Sequence, residues 1–199
     1  MTNKNEEIEK LLDAEEEEQD FNDDTDILPP KNVFTYNEHI SCFDIARMIN
    51  GGDLKKGSFF QRSSLWKNPE KTRFIDSLLK GLPIPSMCFS VDQQKKYKVI
   101  NGRQRVNTII EFFKALKQLN KSDCSFKFSE LKDVDKRISG KTIEEIRDNN
   151  PEVITIIKNA TILISMLYCD YNRTDNLKFI FKIFHRLNSS GIKLKLQKI

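Results

Sequence analysis

An α/β (α+β) fold, a mixed sheet with helices packed against it, is what the 199-residue sequence predicts. Three features carry that reading. Met87 to Ile100 has the period of a β-hairpin. Asn101-Gly102 then leads without a linker into a helical stripe of Val106, Ile109, Ile110, Phe113 and Leu116. A second strong stripe, Leu177, Ile180, Phe181, Phe184 and Leu187, follows near residue 180.

Residues 1–30 hold twelve acids against Lys4 and Lys10, a net charge of −10, with few aromatics and a closing Pro29-Pro30. Such a segment buries too little apolar surface to offset ordering, so it is expected to be a disordered arm. Val33, Phe34 and Tyr36 suggest a short strand. Ser41, with Asp44 three residues on, then opens a helix that Gly51-Gly52 ends. Asn68-Pro69 is expected to cap and start the next helix, with Phe74, Ile75, Leu78 and Leu79 inward and Gly81 as its stop. In the hairpin, Met87, Phe89 and Val91 alternate with Cys88 and Ser90, and the polar run from Asp92 to Lys96 turns into a strand from Tyr97 to Ile100. Ser129 to Ile138 and Thr142 to Asp148 read as short helices. Thr161 to Tyr168 fits a strand or a buried helical segment and is taken as a strand. The last helix is capped by Thr174, with Gly191 beyond its end.

The formal charge of +4 conceals a body of +14 behind the acidic arm. A basic body suits phosphate-bearing ligands or nucleic acid, although solvated surface lysines would give the same count. Cys42, Cys88, Cys124 and Cys169 stand far apart, and His39 and His185 are the two histidines. This argues against structural zinc and for reduced, mostly buried thiols in a cytoplasmic protein. No residue is assigned to a resident metal. No secretory signal is visible, and the apolar stretch Val153 to Cys169 is interrupted by Lys158 and Asn159, so it reads as core and not as a membrane span.

Three clusters could carry chemistry. In Tyr97-Lys-Val-Ile-Asn-Gly-Arg-Gln-Arg105 a helix starts directly after a strand, so the N–H groups of its first turn and its dipole favour an anion. Gly102 allows close backbone approach, and Arg103 and Arg105 offer bidentate donors. Two residues apart on a helix, they point about 200° apart, and Arg105 is taken as the inward one. An ordinary Asn-Gly turn followed by surface arginines has the same spacing. Phe59-Phe60-Gln61-Arg62 with Trp66 could bring polar groups and a stacking ring to a site edge, or could be a core pair beside a surface arginine. His185-Arg186-Leu187-Asn188 lies at the end of a helix, where capping alone would account for its cation.

These clusters occur together in one family. Phe60-Gln61-Arg62, Trp66, Phe74-Ile75-Asp76-Ser77-Leu78-Leu79-Lys80-Gly81-Leu82-Pro83-Ile84-Pro85, Asn101-Gly102-Arg103-Gln104-Arg105 and Phe184-His185-Arg186-Leu187-Asn188-Ser189-Ser190-Gly191 follow one another in its order. From about Ser41 to Ile199 the chain resembles the N-terminal domain of GmrSD-type restriction proteins, whose motifs are D-G-Q-Q-R and F-x-R-L-N-x-x-G. The resemblance implies a ParB/sulfiredoxin-like mixed sheet with packed helices, a nucleotide-binding core over 31–120 and a mostly helical, truncated extension of the same domain over 121–199. It implies a role in restriction or phage defence, where relatives sense modified DNA and hydrolyse nucleoside triphosphates to license a nuclease. Carried across, Gln61, Arg62, Asn101 and Arg105 are the catalytic candidates. Gly102, Arg103, Gln104 and Arg105 would hold the nucleotide with Trp66, Arg186 and Asn188.

Asn101 stands where the motif has aspartate, and Arg103 where it has glutamine. An amide is no general base and a weaker Mg²⁺ ligand than a carboxylate. The first expectation is therefore a DNA-associated domain that binds a nucleoside triphosphate, with or without Mg²⁺, and whose hydrolysis is weakened or lost. The rivals are an active Mg²⁺-dependent NTPase using Asp76 or Asp92 and licensing a separate nuclease subunit, and a non-catalytic DNA-binding adaptor. His39 and His185 form no nuclease motif, so the chain is not expected to be a complete nuclease.

Overall fold

A computed structural model describes Pro30 and residues 32–55, 66–117, 126–170, 173, 175–176, 178–180 and 182–183. The strands are β1 (Phe34–Ser41), β2 (Leu54–Lys55), β3 (Met87–Val91), β4 (Tyr97–Asn101) and β5 (Thr161–Tyr168). The helices are α1 (Cys42–Asn50), α2 (Asn68–Leu79), α3 (Arg103–Lys117), α4 (Ile143–Asn149) and α5 (Pro151–Asn159). The five strands form one sheet in the order β1-β5-β3-β4-β2, parallel at β3–β5 and β2–β4 and antiparallel elsewhere, so the sheet is mixed as expected.

Local chemistry sets the helix ends. Ser41 Oγ accepts from Asp44 N–H at 3.0 Å and donates to the Asp44 carboxylate at 2.6 Å, starting α1 at the last residue of β1. α2 begins one residue earlier than expected. Lys67 takes the capping position without a side-chain bond, and Asn68 joins the helix ahead of Pro69, whose missing N–H costs nothing in a first turn. Its end is closed by Leu82 N–H donating to Ser77 O at 2.9 Å across Gly81. Thr142 and Glu145 form a reciprocal capping box at α4. In the hairpin, Asp92 Oδ1 accepts from the N–H groups of Gln94 and Lys96, both at 2.9 Å.

Packing departs from the sequence reading at three places. All five residues of β3 are buried, the polar Ser90 included, because β3 is central and its second face is also covered. Residues 129–138 are turns and not a helix. Three of their backbone N–H groups donate to side chains, Ser129 to Thr72 Oγ1, Leu131 to Ser139 Oγ and Asp135 to Asp76 Oδ1, at 2.8–2.9 Å. Such bonds compete with a helical ladder. α5 was not expected. Asn150-Pro151 opens it, and Val153 and Ile157 are its buried positions.

The main core lies between one sheet face and the helices, around Ile45, Ile75, Phe89, Phe112, Ile146 and Ile164. On the other face Cys88, Ile100, Leu167 and Cys169 form a smaller cluster with Ile180, which belongs to the helical residues 175–176, 178–180 and 182–183. The expected inward residues Leu177, Phe181, Phe184 and Leu187 and the cap Thr174 lie outside the described residues. Cys42, Cys88 and Cys169 are buried and form no disulfide, and burial pushes the thiols of Cys42 and Cys88 up to about 12 and about 11.

Candidate functional site

The site grows from the junction of β4 and α3. Cys88 faces Asn101 while Phe89 faces Val99, so Ile100 is an extra residue on β4, a bulge. Bulges re-aim the residues beside them and recur next to binding sites. Asn101 thus ends the strand instead of lying in the turn, and Gly102 makes the turn alone at φ +98°. The expected reason for glycine there was approach of a ligand. Packing gives another: a Cβ on Gly102 would lie 2.5 Å from Cγ, 2.7 Å from Sδ and 2.9 Å from Cβ of buried Met87. Packing and backbone angle both demand glycine at this position.

Helix α3 begins at Arg103, and its first backbone bond runs from Val106 N–H to Gly102 O at 3.0 Å. Arg105 turns toward the start of β3 and the end of β4. One guanidinium nitrogen donates to Pro85 O, reaching Ser86 O at 3.5 Å, and the other donates to Asn101 Oδ1 at 3.4 Å. All three acceptors are neutral, and no ion pair is formed by Arg105 among the described residues. Burial pulls the guanidinium below its ordinary value.

Beside this corner a cleft of about 260 Å³ opens over the sheet face away from the main core. Thr35 and Asn37 of β1, Ser165 of β5, Asn101 and Ser86 supply its polar lining, and Ile183 stands over it from the last helical residues. Sequence reasoning missed Thr35, Asn37, Ser86 and Ser165. The signal for the first two was the alternation Phe34-Thr35-Tyr36-Asn37 in an edge strand; nothing in the sequence tied them to Asn101.

The other candidates are distributed as follows. Gln104 Oε1 accepts from Trp66 N–H at 3.2 Å, and the Trp66 ring meets Phe74 at 5.7 Å while packing on the core. Arg103 is half-buried at the helix start. Gln61, Arg62, Arg186 and Asn188 lie outside the described residues. The two alternative carboxylates are occupied structurally. Asp76 accepts from Lys80 Nζ at 2.6 Å and from Asp135 N–H at 2.8 Å, and Asp92 holds the hairpin turn. Among the described residues the cleft has no carboxylate in its lining, and no three His, Cys, Asp or Glu side chains converge. That donor set does not fit a resident Mg²⁺, which ordinarily takes one or two carboxylates together with substrate phosphates.

What the fold and the corner define is an α/β domain with a polar cleft at the carboxyl end of a bulged strand, beside a half-buried arginine. Residues 45–199 match the family model described as GmrSD restriction endonuclease, N-terminal domain, and the chain belongs to that family. Membership associates it with restriction and phage defence, a setting of DNA and nucleases. Neither the curated proteins nor the solved structures gave a match. No helix among the described residues is long and apolar enough to cross a membrane.

Proposed function

We propose that the chain is a DNA-associated regulatory domain that binds a nucleoside triphosphate at the Asn101–Arg105 corner, in the cytoplasm, with hydrolysis weakened or lost. The observation that supports this most is Arg105. A partly buried guanidinium satisfied, among the described residues, by two carbonyls and an amide keeps its full charge in a poorly solvated place, and an anion is the partner that relieves it. The start of α3 adds its dipole at the same corner.

Asn101 bears on both halves of the reading. As an amide it hydrogen-bonds Arg105 without neutralising it, which favours phosphate; for the same reason it cannot take a proton from water. Gln104 and Gly102 position the corner, one through Trp66 and the other through Met87. Gln61, Arg62, Arg186 and Asn188 remain candidates for further walls on the family resemblance, and a separate nuclease subunit and DNA remain the proposed partners.

Calorimetric titration with nucleoside triphosphates tests the reading. Arg105→Glu is expected to cost about 2 kcal/mol or more of binding, as for a phosphate-pairing arginine. Unchanged affinity in a variant that still melts cooperatively would remove the corner from the site. Mg²⁺-dependent phosphate release abolished by Arg105→Ala would instead favour an active NTPase. Salt-sensitive DNA binding that no nucleotide alters would favour the adaptor.

A further inference from the structure

The floor of the cleft is one register row of the sheet. Asn37 of β1 pairs with Ser165 of β5, Ser165 with Cys88 of β3, and Cys88 with Asn101 of β4, so the four side chains stand in line on the same face. Three interstrand steps carry that line about 14 Å, from the edge strand to the start of α3. All four residues line the cleft, and among the described residues its lining carries no charge. Among the described residues the side chains of Thr35, Asn37 and Ser165 make no hydrogen bond.

The described lining, having no charge, cannot compensate the desolvation of a triphosphate, but its amide and hydroxyl groups can pair with the donors and acceptors of a neutral ring. The volume lies just under the usual range for small-molecule sites, about 300–1,000 Å³, which suits part of a nucleotide and not the whole. The row also ends at the cationic corner. Resting on the nucleotide reading above, we propose that the row orients the ligand, with the nucleobase against Thr35 and Asn37, the sugar over Ser165 and Cys88, and the phosphates at Asn101, Gly102 and Arg105. Asn37 is then the residue that determines base preference. Its amide donates and accepts at once, so it discriminates between bases whose edges present different patterns, whereas the phosphate end is the same for every nucleotide.

The experiment is calorimetric titration of the full chain with ATP, GTP, CTP and UTP separately and with inorganic triphosphate, which has no base. Asn37→Ala and Ser165→Ala are compared with wild type and with Arg105→Glu, each checked by thermal melting. Asn37→Ala is expected to weaken the preferred nucleotide on the order of tenfold, to flatten the preference among the four, and to leave inorganic triphosphate within about twofold. Arg105→Glu is expected to weaken all five ligands. If Asn37→Ala and Ser165→Ala bind every nucleotide like wild type while Arg105→Glu does not, the orientation is overturned and the phosphate corner stands. Wild-type affinity for inorganic triphosphate equal to that for the best nucleotide also overturns it. A wild-type chain that binds neither overturns both readings.

Discussion

Gly102→Ala separates a structural from a ligand-serving role for the glycine of the turn. A methyl group there would meet Met87 Cγ at 2.5 Å, Sδ at 2.7 Å and Cβ at 2.9 Å, and Met87 is 1% exposed, so it cannot swing into solvent. Forcing a methyl into a filled core costs about 1–3 kcal/mol. Holding a residue with a Cβ at φ +98° adds about 1–2 kcal/mol. A loss of ~3 kcal/mol is a large share of an ordinary stability of about 5–15 kcal/mol. It should lower the melting temperature by roughly 6–12 °C for a chain of this size. Urea and thermal unfolding of wild type, Gly102→Ala, Met87→Ala and the double variant measure it. Alanine at 87 removes the Cγ and Sδ clashes but leaves the Cβ contact. The double variant should therefore be less destabilised than the sum of the singles by about 1–2 kcal/mol. Gly102→Ala melting within about 1 °C of wild type, or strict additivity in the cycle, would refute the packing argument. Loss of nucleotide affinity at unchanged stability would show that Gly102 serves chiefly as an opening for phosphate.

Asp76→Ala should cost about 2–3 kcal/mol in urea unfolding, because it strands the Asp135 N–H and uncouples Lys80, while Asp76→Asn retains an acceptor and should cost about half as much. Hydrogen bonding from Arg137 holds the Asp135 carboxyl at about 2. A value depressed by folding contributes stability above the unfolded value near ~4, lost as pH falls through about 2. The gap in melting temperature between wild type and Asp135→Asn, worth about 1 kcal/mol given the pair's partial exposure, should therefore close between pH 4 and 2. Asn101→Asp should neutralise Arg105 and weaken nucleoside triphosphate binding in calorimetry; a gain of Mg²⁺-dependent hydrolysis would instead show that the carboxylate was the missing catalytic part. Removing residues 1–30, with their −10 charge, should tighten DNA binding at low salt in a fluorescence titration, with the difference fading as salt rises.

Elements whose physics is local were legible in the sequence. The hairpin and α3 carry their own periodicity, Ser41 and Thr142 cap the helices that follow them, and the apolar run from Thr161 to Tyr168 is the strand it promised. The Asn101–Arg105 corner was legible too, because a strand, a glycine and a helix start are contiguous in the chain. The turns at 129–138 were read as a helix because Thr72 and Asp76, which take their backbone bonds, lie 57 and 59 residues away from the donors they serve.

Tertiary structure alone decided the rest of the site. Asn37, Ser165, Cys88 and Asn101 belong to four separate strands, and only the pairing register puts them in one row; a slip by one residue would send each to the opposite face. Composition and spacing determined that this chain makes a mixed sheet in which a strand, a glycine turn and a helix start follow one another. Sheet order decided that the corner opens onto a cleft whose described lining is polar and uncharged, because interstrand hydrogen bonds join residues that no local pattern in the chain connects.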